Sequence, residues 1–176
     1  PSNHKYDTQD YDYIDPHYAK IVVDEGEVLK EGETDNKKAT KYISRTTNRA
    51  NLEASNEFFA KFVSEAHEKG IRVILDGVFN HCGSYKDYFS FNSDGKWPYN
   101  NAYDGWWGND TLPKLNYENS EKLQDYIMSI GRKWVSAPYY CDGWRLDVAA
   151  DLGHSEEFNH NFWRRFRDEV KKANPH

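Results

Sequence analysis

The apolar residues of this chain recur with two different periods, and the alternation of those periods sets the architecture. Phe58, Phe59, Phe62, Val63 and Ala66 return at steps of one, three and four, the spacing of one helical face. Gly70 stands where a helix C-terminal cap belongs. Ile71, Val73, Ile74 and Leu75 then form a near-continuous apolar run, the mark of a strand covered on both faces. The order repeats downstream. Ser120 is placed to cap a helix carrying Leu123, Tyr126, Ile127, Ile130 and Trp134, and Ala137-Pro138 ends it. Trp144, Leu146 and Val148 alternate with Arg145 and Asp147, as side chains on opposite faces of a strand do. A last helix runs from about Ser155 to Ala173, with Phe158, Phe162, Phe166 and Val170 on one stripe, before Asn174-Pro175. Helix, tight turn and strand in repetition predict a parallel α/β protein.

Both predicted strands end in groups that an apolar interior does not tolerate alone. Asp76, Asn80 and His81 follow the first; Arg145 and Asp147 lie within and at the end of the second. Buried charge is costly unless paired, and catalytic sites keep such pairs. The Arg145 and Asp147 pair reads either as a surface ion pair on a wet strand face or as part of a site. Two parallel strands with ionisable groups at their C-terminal ends suggest one shared site, at the rim where barrels and open sheets both hold ligands.

Four segments, in order, resemble signature segments of the α-amylase superfamily of glycoside hydrolases. They are His4-Lys5-Tyr6-Asp7-Thr8 with Asp15-Pro16, Asp76-Gly77-Val78-Phe79-Asn80-His81, Leu112-Pro113-Lys114-Leu115-Asn116 and Gly143-Trp144-Arg145-Leu146-Asp147. The resemblance implies part of a (β/α)8 TIM barrel: about strands three and four with their helices. A single partial catalytic domain would then span 1–176, with a loop excursion, a small B-type domain, at 82–117. It implies a retaining enzyme that cleaves or transfers α-1,4 (and possibly α-1,6) glucosidic bonds of starch, pullulan or maltooligosaccharides. By the same resemblance Asp147 matches the catalytic nucleophile, and Arg145 the arginine that keeps that carboxylate ionised and oriented. His81 matches a histidine that binds the sugar at the cleaved bond, Tyr6 the ring on which that sugar stacks, and Asp76 a residue supporting the site. Asn80 corresponds to a calcium ligand in many members, so calcium is a possible but not a required cofactor.

Retaining glycosidases need two carboxylates about 5 Å apart, one nucleophile and one acid/base. The segment that carries the family's acid/base glutamate has no match in these residues. The isolated chain is therefore expected to be inactive, and to self-associate through open strand edges and apolar side chains. A rival reading is a catalytically silent amylase-like barrel that binds carbohydrate or serves assembly. Such relatives typically lose nucleophile, arginine or histidine, and all three positions are intact here. Val148-Ala149-Ala150-Asp151 replaces the Val-Ala-Asn-Glu typical of the neopullulanase and cyclomaltodextrinase group, so an α-amylase or amylopullulanase of the same broad group fits about as well and linkage preference stays open. Asp151 and His154 would border the side of the site that binds the leaving group.

Composition narrows the partners. The 176 residues carry a net charge of −6 with a pI near 5.6, so nucleic-acid binding through a basic surface is not expected. No apolar run approaches the roughly 18 residues of a membrane span. Cellular location stays open. Aromatics reach 16% and crowd into the excursion, from Tyr85 to Trp107, where rings serve either as a local core or as sugar-stacking faces. Residues 21–47 read as an acidic, solvated loop; its carboxylates lack the spacing of an EF-hand. Cys82 and Cys141 sit at opposite ends of neighbouring strands, too far apart for a bond, and are expected as free thiols.

Overall fold

The computed structural model describes residues 4–83 and 105–176. Eight regular elements follow in order: α1 (Thr40–Thr47), α2 (Arg49–Glu68), β1 (Ile74–Gly77), β2 (Gly105–Trp106), β3 (Asn109–Pro113), α3 (Glu121–Val135), β4 (Gly143–Leu146) and α4 (Glu156–Ala173). β1 and β4 pair in parallel, with Ile74 opposite Gly143 and Asp76 opposite Arg145. β2 and β3 form an antiparallel hairpin. The aromatic residues between Tyr85 and Tyr103 lie outside the described residues.

Local chemistry sets each helix end. Asn48, Ser120 and Ser155 side chains accept from Ala50, Leu123 and Phe158 amides, which satisfies first-turn donors of α2, α3 and α4. α2 closes with paired bonds, Gly70 N–H to His67 O and Ile71 N–H to Ala66 O, around Gly70 at φ +71°. This is the left-handed cap expected there, a conformation glycine enters without a Cβ penalty.

The core is a ring-rich layer between the helices and one face of the sheet. Phe79, Phe162, Phe166, Leu123, Ile127 and Ile130 are at most 3% exposed, and Trp144 and Leu146 pack against them. Phe166 is the hub, with ring centroids 5.5 Å from Phe79, 6.2 Å from Trp144 and 5.7 Å from Trp163. Gly131 lets α4 approach α3: a Cβ there would stand 2.7 Å from Phe166 Cε2.

Three expectations change. The apolar run at 71–75 is covered on one face only, because Leu75 turns to the core while Ile71 and Ile74 stay 55% and 61% exposed. The β4 strand stops at Leu146, and Val148 leaves it in a left-handed conformation at φ +40°. Residues 21–47 are not all loop. Thr40–Thr47 is helical, and Arg45 clamps the acidic insert by donating from Nε and Nη2 to both oxygens of Asp24, at 2.6 and 2.9 Å. Held by Arg45 and Lys41, the exposed Asp24 carboxyl falls to about 2. Its charge is spent on cations of the chain itself. Asn51, fully buried, ties the same insert to α2: its Oδ1 accepts from Val22 and Val23 amides at 2.7 Å.

Cys82 and Cys141 are free and 1% exposed, and burial raises both thiols to about 12.

Gly131→Val is expected to destabilise the folded chain by about 1–3 kcal/mol, because the added methyls meet a ring locked on three sides. Urea unfolding monitored by circular dichroism measures it.

Candidate functional site

Arg145 is the centre of the site. It leaves β4 on the face away from the aromatic core, at the register position opposite Asp76. Its Nη1 lies 2.9 and 3.0 Å from the two Asp76 oxygens and 2.6 Å from Asp147 Oδ1. One guanidinium thus joins two carboxylates from two strands, and together they hold its pKa above the ordinary arginine value. The two acids sit differently: Asp76 is exposed, whereas Asp147 is 8% exposed at the strand's C-terminal end. Asp147 Oδ2 has no hydrogen bond among the described residues, while its amide donates to Gly77 O at 3.1 Å. A buried carboxylate with one oxygen held and the other uncommitted is arranged to accept a proton or attack an electrophilic carbon.

The turn after Asp147 is strained. A β-branched residue at positive φ costs about 1–3 kcal/mol, and Val148 occupies that region. α4 over-determines the turn: Asn159 Nδ2 donates to Ala149 O at 2.7 Å and Leu152 O at 2.8 Å, and Trp163 Nε1 donates to Ala149 O at 2.8 Å. An asparagine inside the apolar stripe of a predicted helix was the available sign of this role.

The second half of the site is built on the segment following β1. Two tyrosine hydroxyls grip its main chain, Tyr11 at Val78 O and Tyr117 at Phe79 O, each at 2.6 Å. Nothing in the spacing of either tyrosine announced this. His81 is 1% exposed, with Nε2 3.0 Å from Tyr6 O and Nδ1 3.2 Å from Asn80 Nδ2. An amide nitrogen can only donate, so Nδ1 accepts and the proton sits on Nε2, which donates to the Tyr6 carbonyl. Burial holds the imidazole pKa below its ordinary value and keeps the ring neutral. His81 therefore fixes the main chain of Tyr6, whose ring stands 6.0 Å from the Arg145 guanidinium carbon and is 39% exposed.

The structure thus brings together all six sequence-predicted residues: Tyr6, Asp76, Asn80, His81, Arg145 and Asp147. Trp106, one of the excursion's rings, joins them: its ring stacks on His81 at 4.7 Å and 11°, and its Nε1 donates to Asp151 Oδ2 at 2.9 Å. That bond joins the excursion to the turn after Asp147. His154 sits beyond it, where Glu118 Oε1 accepts from the amides of His154 and Ser155.

Asn80 Oδ1 is buried without a partner among the described residues, as a cation ligand would be. Calcium requires six to eight oxygens. No cluster of three His, Cys, Asp or Glu side chains capable of holding a metal occurs among the described residues.

Residues 54–107 match the alpha amylase catalytic domain. Over 99% of its length the chain is 33% identical to a cyclomaltodextrinase of Thermoanaerobacter pseudethanolicus, of which it spans 26%. It is likewise 33% identical, over 99% of its length, to an intracellular maltogenic amylase of Bacillus subtilis, of which it spans 25%. The chain thus covers about a quarter of the length of these curated relatives. A solved cyclomaltodextrinase structure superposes with a TM-score of 0.61 at 31% identity, covering 99% of this chain and 26% of that one.

Below about pH 6.5 the depressed His81 pKa costs stability, because the unfolded imidazole takes a proton that the buried one refuses. The contribution is complete above that pH and is lost as pH falls through the window beneath it. Denaturant unfolding from about pH 7 to 5 should show this component in the native sequence and not in His81→Gln.

Proposed function

Because the chain belongs to the α-amylase superfamily of glycoside hydrolases, and carries a segment of its catalytic barrel, we propose that the protein containing it acts on α-glucans with retention of configuration. Asp147 is the nucleophile. Its uncommitted Oδ2 attacks the anomeric carbon and forms a glycosyl ester as the bond from that carbon to the leaving sugar's oxygen breaks, that oxygen taking a proton from the acid/base, while Arg145 holds Oδ1 in place. Asp76 shares the guanidinium and so sets its position. Tyr6 offers its half-exposed ring as a floor for the sugar, and His81 holds that floor from behind through the Tyr6 carbonyl. A direct bond from His81 Nε2 to a sugar hydroxyl would require it to exchange this carbonyl for the ligand.

The second carboxylate of a retaining mechanism would stand about 5 Å from Asp147. Asp76 is not that acid: it is tied to the same guanidinium as the nucleophile and exposed to water. We assign the acid/base to a residue beyond this segment. The observation that carries the reading is the pairing of a buried, half-committed Asp147 with a shared arginine at the C-terminal end of a parallel strand pair. The family and the names of the relatives support maltooligosaccharide, starch or pullulan as the substrate class, and we assign cleavage to α-1,4 bonds with α-1,6 bonds as the further option.

Incubating the full-length protein with a fluorinated α-glucosyl fluoride should yield a covalent adduct on Asp147, mapped by peptide mass spectrometry. Full turnover of starch or pullulan without such an adduct, and unaffected by Asp147→Asn, would overturn the assignment.

The 176-residue chain alone should show no α-glucan turnover, and light scattering should show concentration-dependent association, because Ile71, Ile74, Phe58 and Phe62 are solvent-exposed. Turnover by the pure segment that Asp147→Ala abolishes would refute the first of these.

A further inference from the structure

The β2–β3 hairpin closes through a two-residue loop, Trp107-Gly108, with both residues at positive φ, 51° and 81°. Such mirror-image turns select Asn or Gly at their first central position, because a side chain there crowds the following carbonyl. This chain places tryptophan in it. The indole gains no burial in return, since Trp107 is 82% exposed. An outlier that costs backbone strain and contributes little packing is a candidate for function.

The hairpin is anchored at the site rather than free beside it. Trp107 packs against Trp106 with centroids 5.6 Å apart, and Trp106 in turn stacks on His81 and donates to Asp151, four residues past Asp147. Asn109 Nδ2 donates to Trp106 O at 3.1 Å and braces the same turn. The exposed ring thus stands two ring contacts from His81, and Trp106 between them is hydrogen-bonded to the turn that follows the nucleophile.

We propose that Trp107 is a carbohydrate-stacking residue, a platform for a glucose unit of an α-glucan one or more units away from the cleaved bond. A flat aromatic face matches the apolar C–H face of a pyranose, and the neighbouring exposed Asn109 supplies donors and an acceptor for its hydroxyls. Trp106 and Asp151 are positioning residues that fix the platform's distance from Asp147. This rests on the α-glucan reading above and extends it to chain-length preference.

The test compares maltoheptaose with p-nitrophenyl α-maltoside in the full-length protein and its Trp107→Asn and Trp107→Phe variants. Trp107→Asn should lower the ratio of kcat/KM for the long over the short substrate about tenfold, with the loss carried by KM. The same change should raise Tm by about 2–4 °C, since Asn suits the turn. Trp107→Phe, which keeps a ring, should hold most of the ratio. Equal losses on both substrates, an unchanged ratio, or a ratio that Phe does not rescue would overturn the proposal. If the native protein turns over neither sugar, the α-glucan reading fails. Calorimetric titration with maltoheptaose and maltose then still decides Trp107, which is refuted if Asn leaves both affinities unchanged.

Discussion

One cation serves two carboxylates, and the arrangement of the site follows from that sharing. Arg145 can reach Asp76 and Asp147 together only if β1 and β4 are parallel and in the register that sets Asp76 opposite Arg145. A slip of one residue would turn Arg145 into the aromatic layer and bring Trp144 to the solvent face. The core therefore specifies the register, through Trp144 and Phe79 packed on Phe166, and the register specifies the electrostatics. An apolar contact on one face of the sheet decides which charges meet on the other.

Much of this was written in the residue pattern. The helical stripes of α2, α3 and α4 and the caps at Ser120, Ser155 and Gly70 are local properties, fixed by spacing and by side chains acting within one turn. Asp76, Asn80, His81, Arg145 and Asp147 were legible because polar groups ended two otherwise apolar strands, whereas Tyr6 was marked by the family resemblance alone. What escaped depends on long-range pairing. Whether the Ile71–Leu75 run would be covered on both faces turns on neighbours that no local period encodes. Helix α1 was hidden in an acidic stretch, and the bond that ties it to the insert, Arg45 to Asp24, spans 21 residues of sequence. The roles of Tyr11, Tyr117 and Asn159 are hydrogen bonds to distant main-chain carbonyls, and a carbonyl leaves no mark in a sequence.

Rigidity is distributed unevenly around the site, and with a purpose that the bonds make visible. Asn159 and Trp163 hold the turn after Asp147 from α4, and Tyr11 and Tyr117 hold the segment after β1. These anchors act on main chain and leave the functional side chains free of packing duties. Tyr6 and Arg145 accordingly face solvent while the backbone beneath them is pinned, the division expected where geometry must be fixed before a ligand arrives.

The contact between Asn80 and His81 carries a consequence for how the protein must be maintained over time. The histidine keeps its proton on the outer nitrogen because its neighbour offers an N–H and not an oxygen. Hydrolysis of that one amide to an acid would add a single oxygen-for-nitrogen exchange in a fully enclosed place. The new oxygen would draw the proton to the inner nitrogen, and the Tyr6 carbonyl would then face a lone pair. The burial of Asn80, 1% exposed, keeps water from the amide and so acts as chemical preservation of a protonation state held one residue away.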